Sequence, residues 1–270
     1  MLDALSHTAI VTIGMYLLLL AAYAGTAWLF DNADAGRPDK MQRGKLLAAK
    51  MLRRDRLQSV ISLANIALMF ALGDTFYSKF HLGFAAFEPS ILSVMLSFLG
   101  SMIVFDTWFY WMHRLIHQKP LYRWVHRWHH QSVTPATWSN NSDRLVDNLF
   151  IQSYWMLAHF FLPISPWVLV AHKIYDQVSG VIGHAGIEHG GPLTTPPSPM
   201  ISVTHHDQHH RHFNCNYATH FTIWDRLMGT LHPDHDRELR ENLRRRERSQ
   251  GKVAKRANPM TDSVNASSKS

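Results

Sequence analysis

The chain has a single cysteine, Cys215. One thiol excludes an internal disulfide, a cysteine-rich zinc site and a cysteine-held iron–sulfur cluster. Acidic residues are also scarce: 20 Asp and Glu stand against 27 Lys and Arg, for a formal charge of +7. That balance fits three kinds of partner: nucleic acid, an anionic membrane face or an acidic substrate. No Lys or Arg precedes the first apolar run, which argues against a secretory signal peptide. No unit repeats at a fixed period.

Long apolar runs are present, although 46% hydrophobic residues over 270 positions is ordinary. They alternate with segments dense in His, Arg and Lys. A membrane helix needs ~20 mostly apolar residues. Residues 7–30, 57–77 and 89–111 qualify. A further stretch, 145–182, is long enough for two passes, with a break at the Pro-Ile-Ser-Pro of 163–166. Because it carries His159, His172, Lys173 and Asp176, a shallow re-entrant pair fits equally. The runs favour a membrane over nucleic acid as the partner.

Segment 31–56 carries Arg37, Lys40, Arg43, Lys45, Lys50, Arg53, Arg54 and Arg56, whereas 78–88 has only Lys79. The positive-inside rule places 31–56 in the cytoplasm. Residues 112–144 and 183–248 then fall on the same side. The expected fold is an all-α, multi-span membrane protein with a cytoplasmic helical cap. It forms one domain over 1–248, followed by a disordered basic tail, 249–270.

Histidine is the excess: 19 residues, 14 of them between His113 and His212. His113 and His117 are four apart and share a helix face, so both reach one ion. His126, His129 and His130 have the spacing H-x-x-H-H and converge within one turn. His206, His209 and His210 repeat it, with His205 before and His212 after. His184 and His189 lie between. An ion takes about four to six ligands, so this many imidazoles suit two ions. Imidazole binds Zn, Fe, Cu and Ni alike. A His-rich surface without metal explains neither the repeated spacing nor the shared side.

The order and spacing of these clusters, with 205–217 (HHDQHHRHFNCNY) and 221–231 (FTIWDRLMGTL), resemble the fatty acid hydroxylase / sterol desaturase superfamily over roughly 90–232. The resemblance implies two Fe2+ ions, O2 as co-substrate, and hydroxylation or desaturation of a membrane lipid such as a sterol or fatty acyl chain. It also implies electrons from a separate ferredoxin or cytochrome b5-like donor, since the chain has no haem-binding or flavin-binding domain. Nucleic acid is not expected as a partner.

By position, the expected ligands are His113, His117, His126, His129, His130, His184, His206, His209 and His210. His189 and His205 are further candidates for a tenth position. No catalytic group beyond the ligands is expected. Asp106, Asp143, Asp147, Asp207 and Asp225 are candidates to hold the outer ring nitrogens. Asn216 and Trp224 are expected to fix the loop after the third cluster. Trp108, Trp111, Met112, Trp138 and Trp155 are expected to line a dry apolar pocket. Two alternatives use the same histidines: a membrane-bound di-zinc hydrolase, and a non-enzymatic metal transporter or sensor.

Overall fold

The computed structural model describes residues 1–34, 37–42, 49–192 and 194–257, with side chains described as far as 250. Part of the basic segment 31–56 (residues 35–36 and 43–48) therefore lies outside the described residues. The tail from 258 onward does so too.

Three long helices dominate: α1 (Leu2–Ala33), α2 (Ala49–Phe80) and α3 (Ile91–Ile116). All three are long and apolar enough to cross a membrane. At ~1.5 Å per residue, α3, the shortest, spans about 39 Å, against a hydrocarbon core of ~30 Å. Their outward faces are apolar and exposed: Ile10, Ile13 and Leu17 on α1, and Ile91, Leu92, Met95, Leu96 and Leu99 on α3. Such a surface belongs in lipid. The start of α3 is set by a capping box, in which Ser90 Oγ accepts from Ser93 N at 3.0 Å and Ser93 Oγ from Ser90 N at 2.8 Å.

The rest of the chain forms short helices: α4 (Leu121–Trp124), α5 (Leu145–Ile151), α6 (Tyr154–Phe161), α7 (Pro166–Gly183), α8 (Val203–His212), α9 (Ile223–Leu227) and α10 (His235–Ala257). Among the described residues the only β pairing is an isolated bridge, Met200 with Phe221. The stretch 145–182 is thus resolved: α6 has eight residues, about 12 Å, too short to span. The break falls where the prolines stand, between Phe161 and Pro166. Helix α10 continues through Ala257.

Helices α1 and α2 pack antiparallel, with α6 and α7 against them. Leu19, Tyr23, Leu63, Ile66, Phe70, Phe105, Trp155 and Leu169 form the main core. At Gly73 of α2 an added Cβ would come 2.6 Å from the Met156 carbonyl oxygen, so only glycine lets α2 lie this close to α6. At one end of the α1–α2 pair, His7 Nε2 meets Asp74 Oδ2 at 2.7 Å. The opposite end carries the histidine clusters. There the Tyr23 hydroxyl donates to the Thr137 carbonyl at 2.9 Å, and Ser59 Oγ to that of Trp138 at 2.8 Å. These bonds anchor the 3-10 turn Thr137–Ser139, and with it the loop after the second cluster, onto the spans.

Candidate metal centre

Nine imidazoles gather into two adjoining sets. His113, His117, His126, His130 and His209 form one; His129, His184, His206 and His210 form the other. Within each set the potential ligand atoms lie within 4.8 Å of one another. His113 and His117 share one set, as their spacing implies, but the expected convergence of each H-x-x-H-H cluster does not hold. Both H-x-x-H-H clusters are divided between the two sets. In α8, His206 and His210 are four apart and share a face, while His209 is turned about 100° from its neighbour His210. His209 therefore joins the other set. The second cluster is not a regular helix: α4 ends at Trp124 and His129–Gln131 is a 3-10 turn. It divides the same way, with His126 and His130 on one side and His129 on the other.

The ring nitrogens point at one another. The Nε2···Nε2 separations are 3.0 Å for His113–His126, 3.2 Å for His117–His130 and 3.1 Å for His130–His209 in the five-membered set. They are 3.1 Å for His129–His210 and 3.0 Å for His184–His206 in the four-membered set. Two nitrogens each ~2.1 Å from a common ion, at right angles, stand about 3 Å apart. The arrangement fits metal ligation on that count.

The outer nitrogens are tied to the scaffold. Nδ1–H donates to a backbone carbonyl from His113 (Tyr217, 2.8 Å), His184 (Gly180, 2.8 Å), His209 (Cys215, 2.7 Å) and His210 (Ser132, 3.1 Å). His126 Nδ1 meets Asp147 Oδ2 at 2.7 Å. His129 Nδ1 stands 3.0 Å from Asp143 Oδ1, without hydrogen-bond alignment. A proton held on Nδ1 leaves the Nε2 lone pair free for a metal. Burial lowers the imidazole pKa values well below the ordinary range for His117, His126, His130, His206, His209 and His210, and the neighbouring imidazoles add to this. His184 falls to about 3, first from burial and then from His129. The rings stay neutral at physiological pH, which is the ligating form.

The remaining expected residues stand elsewhere. His189 lies 3.2 Å from Asp34, at the end of α1. His205 Nε2 meets Asp225 Oδ2 at 3.0 Å. Neither belongs to a set. Asp106 was expected to face an imidazole; instead its Oδ1 accepts the backbone N–H groups of Thr219, His220 and Phe221 at 3.0, 2.7 and 3.3 Å. It clamps the loop whose Tyr217 carbonyl receives His113. Asp225 holds the same loop through Tyr217 N (2.8 Å) and Ala218 N (3.0 Å). Asp207 is occupied by Gln42 at 3.0 Å and Arg211 at 2.9 Å. Asn216, at φ 59°, donates to the His205 carbonyl at 2.8 Å and accepts from His232 N at 2.7 Å. Trp224 Nε1 donates to Thr107 Oγ1 at 3.0 Å, which ties α9 to α3. At Asp106 backbone amides outcompete the imidazoles because this loop is irregular and its N–H groups have no helix partners, whereas Asp225 accepts from both the loop amides and His205.

A third grouping, His232, Asp234 and Glu238, is half exposed. Its Glu238 is already engaged by Arg211 at 2.6 Å.

A cavity of about 90 Å3 adjoins the sets. His129, His184 and His206 line it from one set, His113 and His126 from the other. The facing wall is polar, with Asn141, Gln152, Lys173 and Asp176. Lys173 is 1% exposed and donates to Asp176 Oδ2 at 2.7 Å and Gln152 Oε1 at 3.1 Å. None of the five residues expected to line an apolar pocket touches this cavity. Trp108, Trp138 and Trp155 pack in the main core, and Met112 in a smaller one. Trp111 is 40% exposed beside Trp224. Aromatic bulk was spent on packing, and the space beside the histidines went to polar groups. The sequence signal for that wall was the charged pair Lys173 and Asp176 inside an apolar stretch.

Residues 98–230 match the fatty acid hydroxylase family. The chain is 31% identical over 244 residues to lathosterol oxidase of Mus musculus, covering 86% of this chain and 76% of that protein. The chain belongs to the fatty acid hydroxylase family. The human lathosterol oxidase is 28% identical over 85% of this chain and 75% of its own length. Human cholesterol 25-hydroxylase is 30% identical over 53% of this chain and 54% of its own. No solved structure matches. The family's matched segment contains all nine clustered histidines and both carboxylates that touch them.

Proposed function

We propose that this chain is an O2-dependent di-iron oxidoreductase that hydroxylates or desaturates a membrane lipid, a sterol or a fatty acyl chain. One observation carries the reading: nine imidazoles in two adjoining sets, seven of them buried and two half-buried, in a chain of this family. Neither set contains a carboxylate or a thiolate. Imidazole alone does not choose iron over zinc; the likeness to sterol-oxidising relatives supports iron. When bound, the metal pair would supply the two-electron reduction of O2 that oxidation of an unactivated C–H bond requires.

The protein's own part is positioning. His129, His184, His206 and His210 would hold one ion, and His113, His117, His126, His130 and His209 the other. Asp143 and Asp147 and the carbonyls of Ser132, Gly180, Cys215 and Tyr217 fix the rings, so little reorganisation accompanies metal binding. Helix α7 and the Ala218–Thr219 segment wall the cavity, which limits the access of bulk water to the reacting carbon. The substrate's reacting segment enters it between the histidine wall and the Lys173–Asp176 pair. Positive charge flanking the first two spans supports a cytoplasmic location for this end of the molecule. Electrons would come from a separate ferredoxin or cytochrome b5-like protein.

Isotope labelling tests the reading against the hydrolase. The chain is expressed in cells, and their lipids are compared by mass spectrometry under 18O2 and in H2 18O. A hydroxylase places one 18O from O2 in the product; a desaturase places none but requires O2 and yields a product lighter by two hydrogens. Product formed without O2, carrying oxygen from water, would exclude both.

A further inference from the structure

The indole of Trp128 lies between two guanidinium groups. The Arg144 Cζ is 4.5 Å from the ring centroid and the Arg54 Cζ 5.1 Å. Trp128 adjoins His129 in the chain, a member of the four-membered set. Its Nε1 is buried and has no hydrogen-bond partner. A second path leads from the same place to the same set: Arg54 Nη2 donates to Ser132 Oγ at 2.9 Å, and the Ser132 carbonyl receives His210 Nδ1–H at 3.1 Å.

The surroundings have one sign. Arg53, Arg56, Arg123, Arg127 and Arg144 are exposed on the two segments that frame Trp128. The only acids in 49–58 and 112–144 are Asp55 and Asp143. Both are buried, and Asp55 is held by Arg54 and Ser132. Trp124, four residues before Trp128 in the chain, is 74% exposed. An unbalanced basic face around a partly exposed indole suits a protein partner of opposite charge.

We propose that this face docks a small, acidic one-electron carrier protein, and that Trp128 is where its electrons enter the four-histidine set. This rests on the oxidative reading above. Hydroxylation, RH + O2 + 2 e− + 2 H+ → ROH + H2O, and desaturation, which releases a second water, both consume two electrons. Two carriers would each be oxidised by one electron, with protons drawn from solvent. Cation–π contact with two arginines holds the indole in place, and the basic rim steers the carrier.

The test uses the iron-loaded full chain in zwitterionic nanodiscs, with an acidic [2Fe–2S] ferredoxin as probe and no lipid substrate. Binding is measured against ionic strength. Arg144→Gln, and Arg54→Gln with Arg144→Gln, weaken it, the double variant by roughly tenfold at low salt, and the difference closes as salt rises. Arg244→Gln with Arg245→Gln on α10 leaves it unchanged. Trp128→Leu retains affinity but slows reoxidation of bound, reduced ferredoxin, while reduction of the iron by dithionite is unaffected. Equal affinity in wild type and Arg144→Gln overturns the docking face. An effect seen only when anionic lipid is added assigns the arginines to headgroups instead and overturns it as well. Failure of dithionite to reduce the metal in wild type contradicts the oxidative reading itself.

Discussion

The two histidine sets share one scaffold but differ in enclosure. The five-membered set shows two of its members to the cavity, His113 and His126. The four-membered set has one fewer imidazole and shows three, His129, His184 and His206. An ion with fewer protein ligands beside a cavity keeps a position free for a reactant; an ion surrounded by protein is held for structure and charge. The comparison assigns the substrate side to the four-membered set. Trp128 and Arg54, on the other side of His129 and His210, lead to the same set. The five-membered set would give its ion the larger number of protein ligands.

Removing one imidazole from each set tests this most strongly. His184→Ala leaves three histidines, and the account expects no detectable product and iron falling towards one per chain. His117→Ala leaves four, and turnover should persist at a level reduced by roughly 10–100-fold, as for loss of a supporting group. Equal effects would erase the asymmetry. Metal analysis and product formation on purified variants read both.

Truncating the supporting carboxylates comes next. Asp143→Ala acts on His129 and Asp147→Ala on His126, and each should lower metal affinity or turnover roughly 10–100-fold. Asp143→Ala should empty the four-membered set first, and Asp147→Ala the other, as seen by the occupancy of each site.

The polar wall is tested by stability. Lys173→Met leaves the half-buried Asp176 without its cation and should cost up to about 3 kcal/mol, while Lys173→Met with Asp176→Leu should recover most of that. Thermal unfolding in detergent measures it. The smallest effect is expected at His189→Ala, outside both sets: iron content and turnover stay close to wild type.

That His113 and His117 meet, and His206 and His210, was legible from spacing, because residues four apart share a helix face; His184 was implied only by the resemblance. Which ion each would serve was not legible. A third of a turn separates His209 from His210, and His129 sits in a 3-10 turn that no propensity marks. Four of the six outer contacts are backbone carbonyls, which carry no side-chain signature. Asp106 sits two turns before His113, as the helical reading requires, yet it went to a loop whose amides had no other acceptor. The spans were legible from apolar length and the hairpin break from its prolines. The depth of that hairpin depended on where α6 ended, which composition alone leaves open.

Anomalous scattering at the iron edge, from the iron-loaded chain crystallised in lipid, tests the central claim most directly. The account predicts two iron peaks per chain, one within each histidine set, with His129, His184, His206 and His210 around the peak beside the cavity. A single peak, or iron held by His232, Asp234 and Glu238 while the nine imidazoles stay unligated, would contradict it.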